Sequence, residues 1–399
     1  MSMVHSILLL GVAAVLIPMA VLVGECLLSL LPQRRIRRGA PAPRPRVAVL
    51  IAAHNEAADI TATLASLRPQ LHEGDRLVAV ADNCNDATAR LARGGGAEVC
   101  ERFDPRRRGK GYALDYGLCF LAQDPPEVVL MVDADCIVHA GAVDELVRQV
   151  ERTGRPAQAL YLMDQPPVAQ ARDLVSALAF MVKNLVRPMG LHRIGLPCPL
   201  TGSGMAFPWV LIRRQHLATG NTVEDMQLGL DIAMAGAPAT FCPSARITGR
   251  LPSNPEAART QRTRWEHGHL RTLRREVVRL LWAGIRHGRP DVLALALDLS
   301  VPPLSLVVMV WSVVTPLAAL AALFHLGPVW PVAALVIGGG AMAATLLAVW
   351  FKFGRSSLPL SSLLAAPLYL LWKVPLYIGI VVRPQRGWVR TERDLPQEA

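Results

Sequence analysis

The sequence predicts an α/β domain with a mostly parallel sheet, flanked by membrane-spanning helices on both sides. Three observations predict it. Short apolar runs alternate with helical patterns between residues 47 and 132. Long uncharged stretches flank that region, and polar or acidic residues follow directly on the apolar runs. Alternating strands and helices give a sheet covered on both faces, and such sheets bind ligands beyond the carboxyl ends of their strands.

The elements follow in chain order. Residues 7–24 and 299–351 contain no Lys, Arg, Asp or Glu, and about 20 such residues suffice to cross the hydrocarbon core of a bilayer. Residues 1–33 read as an uncleaved anchor. They lack a basic start, stay apolar to Leu31, and show no small-residue cleavage site before Arg34, Arg35, Arg37 and Arg38. Those arginines put the following residues in the cytoplasm.

Residues 45–258 carry the α/β pattern, with strands at 47–53 (VAVLIAA), 77–81 (LVAVA), 97–100 (AEVC) and 127–132 (EVVLMV). Helical patterns occupy 56–67, 110–122 and 226–235.

Residues 259–290 form a basic amphipathic helix. Leu270, Leu273, Val277, Leu280, Leu281 and Ile285 recur at helical spacing, with Arg271, Arg274, Arg275 and Arg279 on other positions. Just before a span, such a helix is expected to lie in the bilayer interface. Residues 291–383 hold spans at about 302–325 and 328–351, a hairpin whose return is marked by Lys352 and Arg355. The segment 358–382, with Pro359, Pro367, Pro375 and Lys373, reads as a re-entrant hairpin. Residues 384–399 are a cytoplasmic tail. The whole is a multi-pass protein of the inner (plasma) membrane with a cytoplasmic catalytic domain.

Composition narrows the function class. The chain is 52% hydrophobic and only 18% charged, with a net charge of +11. The excess lies beside the spans and between Arg102 and Lys110, which favours lipid and phosphate partners over nucleic acid. The seven cysteines show no CxxC spacing and read as reduced structural residues. That excludes a disulfide scaffold and a zinc ribbon.

The chemistry gathers after the strands. His54-Asn55-Glu56 follows the first, Asp82-Asn83-Cys84-Asn85-Asp86 the second, and Asp133-Ala134-Asp135 the fourth. Carboxylates spaced by two at a strand end converge on one ion, and their oxygens suit Mg²⁺ or Mn²⁺. Lys110, flanked by glycines, opens a helix and so makes a diphosphate site; Arg106, Arg107 and Arg108 before it read equally as a solvated turn. Asp225, ahead of a helical stretch, is the best carboxylate left for a general base, with Glu224 its rival one residue away.

Several residues have plainer readings. Glu25, late in the first span, is expected at the headgroup level. Met205 and Phe207 read as packing. His267 and His269 do not share a helix face and are not a metal pair. Trp265 fits an interfacial anchor as well as a site residue. Cys84, Cys136 and Cys198 lack the basic partner a nucleophile needs.

Seven segments in order resemble family 2 glycosyltransferases with a GT-A fold: AAHNE (52–56), ADNCND (81–86), RGKGYAL (108–114), VDADC (132–136), TGSGMAF (201–207), VEDMQLG (223–229) and QRTRW (261–265). The wording of ADNC, RRGKGYALD and CPLTGSGMAFPW is most similar to the branch assembling bacterial exopolysaccharides. The resemblance implies a Rossmann-like GT-A domain and an inverting, metal-dependent transfer from a nucleotide-sugar donor, a UDP-sugar, to a lipid-linked or otherwise membrane-associated saccharide.

It also implies roles. Glu56 and Asp82 contact the nucleoside, Lys110 lies near the nucleotide, Asp133 positions the donor sugar, and Asp135 holds the metal. Asp225 is the base, while Gln261, Arg264 and Trp265 hold the diphosphate and line the acceptor entrance. The turn from Thr201 to Gly204 approaches the acceptor. Trp388, Arg390, Thr391 and Arg393 resemble a gating segment.

Three positions depart from the family pattern: Ala53 for a common proline, Ala81 for the first acid of an Asp-Asp pair, and Arg262 for a second glutamine. The last weighs against processive chain growth, the main alternative to single addition. A non-catalytic sugar-nucleotide-binding scaffold is the other alternative. A transporter is excluded on the expectation that the spans lack paired charges.

Overall fold

The computed structural model describes residues 3–32, 43–165, 170–219, 223–250 and 255–382. The described residues divide into two compact units, one gathering residues 43–165, 197–219, 223–250 and 255–268, the other residues 3–32, 170–196 and 269–382.

The first unit is built on one eight-stranded sheet. Its strands are β1 (Val47–Ala53), β2 (Arg76–Asp82), β3 (Glu98–Arg102), β4 (Val128–Asp133), β5 (Cys136–Val138), β6 (Ala157–Asp164), β7 (Met205–Pro208) and β8 (Thr240–Arg250), in the order β3-β2-β1-β4-β7-β6-β8-β5. β1 is apolar throughout because helices cover both faces of a parallel sheet, and residues 47–51 are fully buried. The Lys110–Leu121 helix lays Ala113, Leu114, Leu118 and Leu121 into the same core as Leu50, Val80 and Met131. Gly117 lets it approach, since a methyl group there would lie 2.4 Å from Leu50 Cδ1. Met205 and Phe207 are core residues, as their apolar character predicts.

The expected parallel pairing runs without interruption only from β3 to β4. β3, β2, β1 and β4 are parallel neighbours, but β4–β7, β6–β7 and β5–β8 run antiparallel, with β6–β8 parallel. The sheet is therefore mixed. An apolar run announces a strand but not its direction, which depends on how the connection returns the chain.

The second unit is helical. Among the described residues, four helices are long and apolar enough to cross a membrane: Leu8–Leu30, Arg172–Arg193, Leu304–Leu323 and Trp330–Gly354. Three coincide with expected spans. Arg172–Arg193 escaped the sequence pattern because Asp173, Lys183, Arg187 and Pro188 interrupt it, and most of it is buried inside the protein. The segment 358–382 is not a hairpin: after a short turn at Leu360–Ala365, one helix runs unbroken from Ala366 to Val382. Pro367 sits in the first turn of that helix, where no hydrogen bond is lost.

Two further expectations are corrected. Glu25 is buried within the protein: Arg187 Nε donates to its Oε2 at 2.6 Å, and Arg187 Nη2 donates to Asp298 Oδ1 at 2.8 Å. The apolar helices thus do contain paired charges. A charge withdrawn from water persists only with such a partner. In the Pro255–Arg286 helix, His269, Thr272, Glu276, Leu280 and Ala283 form the buried stripe, whereas Val278, Trp282 and Ile285 are exposed. Ile285 therefore leaves the predicted apolar face. The helix buries what packs against its neighbour, including Gly284 on Leu293.

Candidate active site

The carboxyl ends of β1, β2 and β4 line up, with Ala52 paired to Asp133 and Ala53 to Ala81. Asp82 and Asp133 are thus two strands apart, roughly 10 Å along the sheet edge.

On the β2 side, Asp82 is buried and its Oδ1 accepts from Arg102 Nη1 at 2.6 Å and from Asn83 Nδ2 at 3.0 Å. Arg102 in turn lies over the Tyr112 ring, 5.6 Å from its centroid. Asn83, in a left-handed conformation (φ 51°), ties this strand end together. Its N–H donates to Arg102 O, and its Oδ1 accepts from Asp104 N. Glu56 begins the turn after β1, its N–H donating to Thr88 Oγ1 at 2.8 Å. Arg102 was not singled out from sequence. Its signal was its place at the end of the strand beside Asp82, visible only once the register is known.

On the β4 side the predicted pieces converge. Lys110 is ion-paired to Asp133, and its Nζ donates to Gly202 O at 2.6 Å. A methyl group at Gly202 would stand 3.1 Å from Asp225 Oδ2 and 3.9 Å from Lys110 Nζ. Gly202 therefore lies between base candidate and lysine, in a conformation (φ 91°) that side chains rarely adopt.

The Thr201–Gly204 turn is fixed from behind. Gln158 on β6 is buried; its Oε1 accepts from Thr201 N at 2.9 Å and its Nε2 donates to Ser203 O at 2.9 Å. Ser203 Oγ accepts from Asp133 N at 3.1 Å. The sequence reading missed Gln158. A glutamine inside an apolar strand pattern was its only signal.

Electrostatics follow from this crowding. Burial works against the Lys110 ammonium, but the Asp133 and Glu224 charges outweigh it and hold the group above its ordinary range. Burial raises Asp133, opposed by Lys110 and reinforced by Asp135. Burial also pushes Glu224 up to about 7, against the pull of Lys110 and with the push of Asp225.

The donor set beside β4 fits a hard divalent cation. Asp133, Asp135 and Cys136 bring ligand atoms within 4.8 Å of one another. Burial, with Asp135 and Asp133 nearby, keeps the Cys136 thiol protonated far above its usual range. Its Sγ lies 3.7 Å from Asp135 Oδ1, as a donor. A protonated thiol is not a ligand, so two carboxylates remain, as Mg²⁺ or Mn²⁺ prefers. Asp133 already faces Lys110, which leaves Asp135 as the carboxylate best suited to the ion. Thr63 holds this turn, its Oγ1 donating to Ala134 O at 2.7 Å.

Of the remaining predicted residues, Gln261 is buried and its Oε1 meets no donor among the described residues. Arg264 and Trp265 are half-buried on the same helix. That helix reaches the base candidates through Gly268, where a methyl group would lie 2.4 Å from Val223 Cγ1. Trp388, Arg390, Thr391 and Arg393 lie outside the described residues.

Residues 43–268 match the model of "Glycosyltransferase like family 2", more than half of the 399-residue chain. The chain is a family 2 glycosyltransferase. Among solved structures, this glycosyltransferase is similar to a mannosyltransferase from Pyrobaculum calidifontis, solved with GDP-Man and Mn²⁺, at 21% identity and a TM-score of 0.54. That match covers 93% of this chain and 100% of the other. A weaker likeness is to glucosyl-3-phosphoglycerate synthase from Mycobacterium tuberculosis, solved with Mn²⁺ and UDP-Glc, at 22% identity and a TM-score of 0.40. It covers 58% of this chain and 84% of that one. At 21% identity the first of these likenesses is one of fold, and with the family match the fold is GT-A-like. No curated protein matches the chain.

Proposed function

We propose that this glycosyltransferase moves a sugar, with inversion, from a nucleotide sugar to a membrane-associated acceptor, in a divalent-metal-dependent reaction. A lipid-linked oligosaccharide of exopolysaccharide assembly is the acceptor the motif wording favours. The carrying observation is the Lys110–Asp133–Gly202–Asp225 cluster at the strand ends. It gathers a cation and two carboxylates around the Gly202 backbone, which supports this reading.

The residues divide the work. Asp82, steadied by Arg102, receives the nucleoside together with Glu56. Lys110 and Arg264, the latter from the Pro255–Arg286 helix, neutralise the departing diphosphate, with Gln261 of that helix donating a hydrogen bond to it; preorganised charge of this kind is usually the largest catalytic effect. Asp135 would hold the Mg²⁺ or Mn²⁺, which would supply further charge neutralisation at the diphosphate, while Asp133, paired to Lys110, steers the donor sugar. Asp225 takes the proton of the acceptor hydroxyl as its oxygen attacks the anomeric carbon in line. Trp265 borders the acceptor entrance.

Membrane association is supported by the four apolar helices and by their exposed aliphatic surface, Val313, Leu317, Leu320 and Leu323 on one and Val336, Ile337 and Leu347 on the next. Val278, Trp282 and Ile285, spaced by four and three, support an interfacial position for the helix that carries them.

The test is a screen of UDP- and GDP-sugars with the detergent-solubilised full chain. Hydrolysis or transfer is expected with one donor, lost on chelation and restored by Mg²⁺ or Mn²⁺. Undiminished turnover in Asp135→Asn under chelation would overturn the metal assignment. Products of a single added sugar are expected, and long chains would replace this reading with processive synthesis.

A further inference from the structure

The last turns of the Pro255–Arg286 helix bury one face and turn the other to solvent. Val278, Trp282 and Ile285 are 74%, 61% and 73% exposed, and helical geometry puts them within about 60° of one another around the axis. Arg274 lies to one side of this strip and Arg275, Arg279 and Arg286 to the other, while Arg271 continues it toward the N-terminus. All five arginines are exposed. Arg286 lies over the Trp282 ring, 5.2 Å from its centroid, and so joins the cationic flank to the apolar strip.

The face carries no compensating acid. Between residues 271 and 286 the one carboxylate belongs to Glu276. It is buried on the opposite side, ion-paired with Arg279 Nε at 2.8 Å and with Arg275 Nε at 3.7 Å. The Arg275 side chain is nonetheless 81% exposed, open to an outside partner.

We propose that this face is a docking surface for anionic phospholipid headgroups, selecting lipids by their net negative charge. The inference rests on the membrane reading above but not on the donor site. Nucleic acid would match the guanidinium groups and leave the apolar strip in water. A bilayer surface matches both, since aliphatic and indole side chains enter between headgroups while arginines reach the phosphates from either flank. Residues 287–303, most of them in the helix Pro290–Ser300, are all that separates the strip from the Leu304–Leu323 span. Zwitterionic headgroups bring an ammonium of their own, whereas each arginine near an anionic surface is favourable by about fivefold in binding.

The experiment places the full chain in nanodiscs of phosphatidylglycerol and phosphatidylcholine in equal amounts, with bromine carried on one lipid or the other. Bromine quenches an indole that it touches, and the quenching lost in Trp282→Phe separates Trp282 from the other tryptophans. In the wild type, brominated phosphatidylglycerol is expected to quench Trp282 at least about twofold more than brominated phosphatidylcholine. About 1 M salt, which screens charges beyond about 3 Å, is expected to remove the preference. Arg274→Gln/Arg275→Gln is expected to lose most of it, and Arg274→Lys/Arg275→Lys to keep it, because the attraction is one of charge.

Equal quenching by the two lipids in the wild type, or a preference that survives in the glutamine variant, would overturn the proposal. So would the absence of Trp282 quenching by either lipid, which would leave the face to an acidic protein partner. Metal-dependent donor hydrolysis in detergent, measured alongside, is expected to be unchanged in Arg274→Gln/Arg275→Gln. Its absence from the wild type would sink the proposed function and leave the lipid result standing.

Discussion

Lys110 touches an aspartate 23 positions away and a backbone carbonyl 92 positions away, and through Gly202 it stands close to Asp225. Its removal would leave the crowded carboxylates Asp133, Glu224 and Asp225 without their shared cation. Of the two base candidates, Asp225 lies against the Gly202 turn, and Asp225→Asn is expected to lower kcat by about 10²–10⁴-fold, with nucleotide binding retained in a calorimetric titration. Unchanged turnover would refute the assignment.

Glu224 gives a pH signature. Its carboxyl rises from an ordinary 4.5 to about 7 on folding. Between those values the folded protein holds a proton that the unfolded chain has released, so this group makes stability fall as pH rises from about 4.5 to about 7. Unfolding temperatures of the metal-free protein across that window are expected to decline less in Glu224→Gln than in the wild type. Arg102→Ala frees Asp82 from its guanidinium, and is expected to raise the donor KM roughly tenfold while leaving kcat nearly unchanged in steady-state assays.

At the scale of elements, the Thr201–Gly204 turn is the piece that joins β4, β6 and the helix of Asp225. Gly202→Ala puts a methyl group into a left-handed conformation and against Asp225. A loss of about 1–3 kcal/mol is expected in denaturant unfolding, together with a larger loss of turnover than of donor affinity. Gln158→Leu deletes both hydrogen bonds behind the turn and leaves the buried Ser203 carbonyl without its donor, for a further loss of about 1–3 kcal/mol.

The elements themselves were largely legible. β1, β2, β3 and β4 stand within a residue or two of the runs that announce them; β1, β2 and β4 are buried on both faces and so read as apolar runs. The turn's support was not legible. Gln158 looks like a misplaced polar residue until β6 is laid beside β7.

At the scale of the whole molecule, the helical unit holds a buried triad of Glu25, Arg187 and Asp298 drawn from three helices. Arg187→Ala leaves two buried carboxylates without their cation and is expected to cost about 3–5 kcal/mol, seen as an earlier unfolding transition in detergent. An unchanged transition would mean that the triad is solvated in the folded protein.

The sequence by itself determined the strand-end placement of Glu56, Asp82 and Asp133, the helix opened by Lys110 and three of the four apolar helices. Each of these is written in local periodicity or in a neighbour a few residues away. Only the tertiary structure decided which of them meet: Lys110 with Gly202, Asp82 with Arg102, Gly268 with Val223, and Glu25 with Arg187 across 162 positions. It also decided the direction of β7 and the burial of Arg172–Arg193. Such outcomes depend on strand register and helix packing between segments far apart in the chain, which no local pattern encodes.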